Sequence, residues 1–244
     1  MRHLAPVLFP AVFAALLASP AAAVSDYEEC VNFATLDPER TLVDAQAWLD
    51  ATGSVAAKHC MAIAQGELGA HRTAANTLSD VANAAGLDDE TRIATLIEAT
   101  RQWRLAGRPE AARSSIDAAL RIGTSPDALI ERSTLKAADR DWEGAERDLD
   151  SALAVAPRDH EALTLRAAAR LRLQNAEGAR RDALLALEYR PISAAAWYQL
   201  GLAEQALGLK DAARRSWLKA IDVAPGGRPA SLARGAIQDM DGGG

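Results

Sequence analysis

Histidine is scarce in this chain, and no copy sits where a catalyst would need one. His3, His59, His71 and His160 are the whole supply. None falls in a G-x-S-x-G or H-E-x-x-H pattern, and there is no Gly-rich phosphate loop, so no nucleophile has a base placed beside it. The residues read as a protein that is not an enzyme, uses no cofactor and holds no metal. Aromatic residues are only 5% of the chain. With Ala abundant and Gly and Pro recurring at intervals, such a composition leans to a stack of small-residue helix contacts. A basic surplus is missing too, with Lys and Arg at 27 against 33 acids and a net charge of −6. That balance argues against a general affinity for nucleic acid or anionic lipid. Beyond residue 23 no apolar run reaches the ~20 residues a membrane span needs, so no stable membrane insertion is expected once the leader is removed.

The leader is the one long apolar stretch. Arg2 and His3 give a short basic start, Leu8 to Ala18 is apolar, and Ala21, Ala22 and Ala23 offer a small-residue cleavage site. Residues 1–23 are expected to be a secretory signal peptide of bacterial type, cut after Ala23, which places the mature chain in the periplasm or otherwise outside the cytoplasm. The competing reading, an uncleaved anchor, is weakened by Pro10 and Pro20 at either end of the run. Cys30 and Cys60 are the only cysteines, and in an oxidising compartment the pair is expected to form a disulfide. A metal site from His59, Cys60 and His71 is the rival. Its spacing is poor, because adjacent residues on a helix point to different faces.

Residues 194–227, AAAWYQLGLAEQALGLKDAARRSWLKAIDVAPGG, read as two amphipathic helices with a Gly turn between them and a Pro stop behind them. Trp197, Leu200, Gly201, Gly208, Ala213, Trp217, Ala220 and Pro225 carry the pattern. Pro157, Pro191 and Pro225 recur every 34 residues, and so do Ala145, Ala179 and Ala213. This stretch resembles one tetratricopeptide (TPR) repeat. The resemblance implies an all-α fold, a right-handed TPR-type α-solenoid of antiparallel helix pairs. Repeats fall at 55–88, 93–126, 126–159, 160–193 and 194–227. Before them comes a divergent N-terminal helix pair over 24–54, and after them a capping helix over 228–240 and a flexible tail over 241–244. Gly86 is expected to stop the second helix of the first repeat.

In TPR proteins the first helix of each repeat lines a concave wall, chiefly through its second, fifth, ninth and twelfth positions. Carried onto this chain, that makes Arg101, Arg104, Ile130, Thr134, Thr164, Tyr198, Leu202 and Gln205 the candidate partner-binding residues. A peptide with apolar anchors and one acidic end suits such a wall. The Lys and Asn of the chaperone-type carboxylate clamp are replaced here by Ile130 with Thr134 and Thr164 with Ala168. The expected function is a non-catalytic periplasmic scaffold that binds a protein or peptide in its groove. The alternative is an accessory subunit of an envelope enzyme or of a secretion or assembly complex, contacting partners through its convex face. Trp48, Trp103, Trp142, Trp197 and Trp217 are expected in the core. The acid pairs Asp139 with Asp141 and Asp148 with Asp150, and the arginines Arg166, Arg170, Arg172, Arg180 and Arg181, read as a solvated face.

Overall fold

The computed structural model describes residues 26–242, so the leader expected over 1–23 and the last two glycines lie outside the described residues. Helices account for nearly all of it, and the described residues contain no strand. An N-terminal pair, α1 (Tyr27–Leu36) and α2 (Pro38–Thr52), is followed by five further pairs. These are α3 (Val55–Glu67) with α4 (His71–Ala82), α5 (Asp89–Leu105) with α6 (Pro109–Ile122), and α7 (Pro126–Ala138) with α8 (Trp142–Val155). Then come α9 (His160–Arg172) with α10 (Ala176–Tyr189) and α11 (Ala194–Ala206) with α12 (Lys210–Val223). A single helix, α13 (Arg228–Gly242), closes the stack and runs through Asp241 and Gly242, which the sequence assigned to a tail.

Each helix packs on its partner and on the pair that follows, and successive odd-numbered helices also touch from α5 to α13. The odd helices therefore form the inner layer and the even helices the outer one. Small side chains make this close approach possible. Ala145, Ala179 and Ala213 are buried, as are Ala152, Ala186 and Ala220 seven residues on in each copy. Large residues fill the space beside them, among them Ile116, Leu149 and Trp217.

The turn inside every repeat falls on one residue in left-handed backbone conformation, at its fifteenth position. Gly69, Gly107 and Gly208 meet that demand at no steric cost, while Arg140 and Gln174 adopt φ of 64° and 61° with a side chain attached. Gly86 is different: α4 ends at Ala82, and Gly86, at φ 84°, lies in the following loop. The Arg92 guanidinium fastens that loop, donating to the carbonyls of Ala82, Ala84 and Leu87. Asp88 caps α5, and Asp89 and Glu90 form its first turn, where negative charge suits the helix N-terminus.

A polar link ties the two helices of most repeats together at a shared place, the eleventh and twenty-third positions, twelve residues apart. Thr77 donates to Gln65 at 2.9 Å, Lys136 pairs with Asp148 at 2.8 Å, Arg170 with Asp182 at 2.7 Å, and Ser216 donates to Glu204 at 2.6 Å. In the second repeat Trp103 takes the first place, and Ser115 turns to the Leu96 carbonyl instead. Asp148 and Asp182 are each only 4% exposed. Each also receives an arginine sixteen residues upstream, Arg132 or Arg166. Arg166 and Arg170 reach back to Asp150 and Glu146 on α8 as well, so these two arginines sit in a half-buried ion network spanning α8, α9 and α10, while Asp139, Asp141, Arg172 and Arg181 are exposed as expected. For Asp148, burial alone would raise the carboxyl, and the bonds and charges of Arg132 and Lys136 outweigh it, holding it below the usual carboxylate range.

Cys30 on α1 and Cys60 on α3 are disulfide-bonded with their Cα atoms 6.0 Å apart, both fully buried beside Ala45 and Trp48. Of the five tryptophans Trp217 alone is fully buried. The others are half-buried: Trp197 donates to the Pro191 carbonyl, and Trp142 carries the Arg172 guanidinium over its ring at 5.5 Å.

Candidate functional site

The inner layer offers a concave wall whose two ends differ. At the N-terminal end, Tyr27, His59 and Glu98 converge from α1, α3 and α5. The Tyr27 hydroxyl stands 2.8 Å from His59 Nδ1, and His59 Nε2 stands 2.9 Å from Glu98 Oε2. Burial, and then the nearby Glu98 charge, raises the Tyr27 phenol above its ordinary value. It stays protonated at neutral pH and can donate to Nδ1, while Nε2 is the ring nitrogen that faces Glu98. The three groups edge a cavity of about 530 Å³ whose apolar lining includes Val55, Ala56, Val81, Leu87 and Ala94.

A second cavity, of about 600 Å³, shares Glu90, Ala94 and Glu98 with the first and adds Ile93, Arg101 and Asp127. Arg101 and Arg104 both bend through Nε toward one buried carboxylate, Glu131 on α7, at 3.2 and 3.1 Å. Their charge is therefore partly spent inside the wall, and the exposed acids Glu90 and Asp127 with half-exposed Glu98 turn this end of the groove acidic. The two arginines expected to receive an acidic peptide end thus share this part of the wall with an excess of carboxylates.

In the middle, Ile130 is 6% and Thr164 8% exposed, so each offers little surface. The Thr164 hydroxyl is turned inward to the His160 carbonyl at 2.7 Å. Thr134 is partly exposed and donates to the Ile130 carbonyl. At the C-terminal end Tyr198, Leu202 and Gln205 line a cavity of about 360 Å³, whose other wall is α13 through Ser231, Leu232, Ala236 and Asp239. The Tyr198 phenol is raised by burial, against the pull of Arg172. Tyr198 and Leu202 also pack, with Ala236, Ile237 and Met240, on the buried cluster of Ala213, Trp217, Ala220 and Ala233. The eight candidate residues thus lie in separate places: two beside the acidic cavities, three in the middle and three under the capping helix.

The rival metal arrangement does not form. Cys60 is in the disulfide, His59 is held by Tyr27 and Glu98, and His71 Nδ1 is 2.8 Å from Gln102 Oε1. Among the described residues no group of three or more His, Cys, Asp or Glu could hold a metal ion, and no helix is long and apolar enough to cross a membrane.

No family model and no curated protein matches the sequence. Solved structures do match in fold. The crystal structure of MamA superposes with a TM-score of 0.55 at 19% identity, covering 67% of this chain and 94% of that one. A chain of the APC/C hetero-tetramer Cut9–Hcn1 gives a TM-score of 0.69 at 12% identity over 85% of this chain and 41% of that chain. YrrB, described as a TPR protein with an unusual peptide-binding site, gives 0.55 at 16% over 78% and 97%. The fold is a right-handed TPR-type solenoid. In that frame the odd helices are the wall-forming first helices of the TPR pairs, and Tyr27 is the one residue lining the first cavity that comes from the N-terminal helix pair. No repeat position marks it, because α1 lies outside the 34-residue register.

Proposed function

We propose that this chain is a non-catalytic TPR scaffold of the bacterial periplasm that holds a protein or peptide partner in its concave groove. The observation that carries the reading is the pair of adjoining cavities on the inner wall, about 530 and 600 Å³, which share Glu90, Ala94 and Glu98 and so form one trough. An extended peptide fits a trough of this kind, taking its specificity from side chains that enter pockets along the wall. YrrB, of the same fold, has a peptide-binding site, which supports the same use here. The periplasmic location rests on the leader-like character of residues 1–23 and is tested by sequencing the N-terminus of protein recovered from a periplasmic fraction.

The groove reading is tested by an Ala94→Trp variant, because Ala94 is exposed on the helix face shared by both cavities and an indole there obstructs the trough. Partners co-purified from the native envelope should be lost from the variant and kept by a Glu188→Gln control on the outer layer. Retention of every partner by Ala94→Trp would remove the groove from the account.

One observation favours the second reading, an accessory subunit that docks through its convex face. Leu184 and Leu218 occupy the same repeat position on α10 and α12 and are 42% and 51% exposed. Loss of partners from a Leu184→Ser, Leu218→Ser variant, with Ala94→Trp still active, would favour it.

A further inference from the structure

The trough at the N-terminal end of the groove has a definite chemical character. Its floor is apolar, with Val55, Ala56, Leu87 and Ala94 on one side and Ile93 and Ile97 on the other. Its charged edge is Glu90, Glu98 and Asp127, against one cation, Arg101, whose Nε donates to Glu131. Glu98 stands where the two cavities meet. One of its oxygens is held by His59, which is itself held by Tyr27. That chain holds one carboxylate oxygen and leaves the second, Oε1, with no hydrogen-bond partner among the described residues, on a side chain that is 42% exposed.

We propose that this trough is the docking site for an extended segment of a partner protein in which a Lys or Arg is flanked by apolar side chains. The apolar neighbours enter the two cavities, and the cation meets Glu98, with Glu90 and Asp127 supplying the surrounding negative field. Charge complementarity chooses this occupant. An acidic segment would face three carboxylates across a low-dielectric floor, and a neutral one would leave the oriented Glu98 oxygen without a partner. Tyr27 and His59 act as positioning residues, holding the acceptor in place before the partner arrives, so that little ordering is needed on binding. Because α1 carries Tyr27 and is fastened to α3 by Cys30 and Cys60, the disulfide helps to build the site. The proposal rests on the groove reading and deepens it by giving the partner segment's charge.

The test uses the full chain and three end-capped, fluorescein-labelled nonapeptides: Gly-Ser-Ala-Leu-Lys-Leu-Ala-Ser-Gly and its Gln and Glu counterparts at the central position. Anisotropy titration should show the Lys peptide binding about fivefold or more tighter than the Gln peptide, with the Glu peptide weakest. Glu98→Gln should bring the Lys peptide down to the Gln level while leaving the Gln peptide unchanged, and Tyr27→Phe should move it part of the way. Both variants are near-isosteric, and an unchanged thermal midpoint excludes misfolding as the cause. Equal binding of the three peptides, preference for the Glu peptide, or an unchanged Lys affinity in Glu98→Gln would each overturn the proposal. If none of the three binds but Ala94→Trp loses the native partners, the charge inference fails while the groove reading stands. If Ala94→Trp keeps those partners, the groove reading itself has failed.

Discussion

Gly201 on α11 lies face to face with the Trp217 indole on α12, so close that a Cβ at Gly201 would overlap the ring. Trp217 is the largest fully buried side chain, and its ring nitrogen has no hydrogen-bond partner. The contact is thus one of shape, and glycine is required because there is no room for a methyl group. Gly201→Ala is expected to lower stability by roughly 1 to 3 kcal/mol through overpacking. Urea denaturation followed by tryptophan fluorescence measures it, and a change of a few tenths would mean the helices separate easily.

The polar links at the eleventh and twenty-third positions make a prediction about acid. The folded carboxyl of Asp148 is depressed, so its contribution is fully present above its unfolded value of about 3.9 and is lost as pH falls through the lower folded value. Asp148→Asn should cost roughly 2 kcal/mol at neutral pH, because two charged partners lose the carboxylate charge and one of its two acceptor oxygens. The gap between wild type and variant should close progressively below about pH 4. Denaturation midpoints across a pH series test this, and a gap that stays constant in acid would contradict it.

Those links also show where sequence reasoning stops. The prolines and alanines betray the 34-residue period because they keep one identity, and from them the helix pairs follow. The linked pairs change identity from Gln–Thr to Lys–Asp to Arg–Asp to Glu–Ser, so their common role emerges only when the helices are packed. Asp148 and Asp150 look solvated within their own helix, since residues two apart diverge. What buries Asp148 is the neighbouring helix α7, bringing Arg132 and Lys136. Arg101 and Arg104 were legible as wall residues, while Glu131, a buried acid on the next repeat that draws both of them in, was not. Tyr27 left no periodic signal at all.

At the turn position, Arg140 and Gln174 do with strain what Gly69, Gly107 and Gly208 do freely. The left-handed conformation costs a side-chain-bearing residue roughly 1 to 2 kcal/mol, partly offset by the extra freedom glycine has when unfolded. Arg140→Gly and Gln174→Gly should each raise stability, by up to about 1 kcal/mol. Thermal melts decide the sign, and a loss in both would mean that contacts of these side chains outweigh the backbone strain.

The bond from Cys30 to Cys60 closes a loop of 30 residues. On the chain-entropy model it stabilises the fold by roughly 3 to 4 kcal/mol. Cys30→Ser with Cys60→Ser should lose that amount and loosen α1 first, seen as faster amide exchange over residues 27–36 than over α5 to α12. Uniform exchange across the chain would argue that α1 is held by its other contacts.

The central claim is that partners enter the concave side, and hydrogen exchange of the full chain with and without its co-purified partner tests it most directly. The account predicts new protection concentrated in the inner helices α3, α5 and α7, around His59, Ala94 and Glu98, with the outer helices unchanged. Protection confined to α8, α10 and α12 would contradict it.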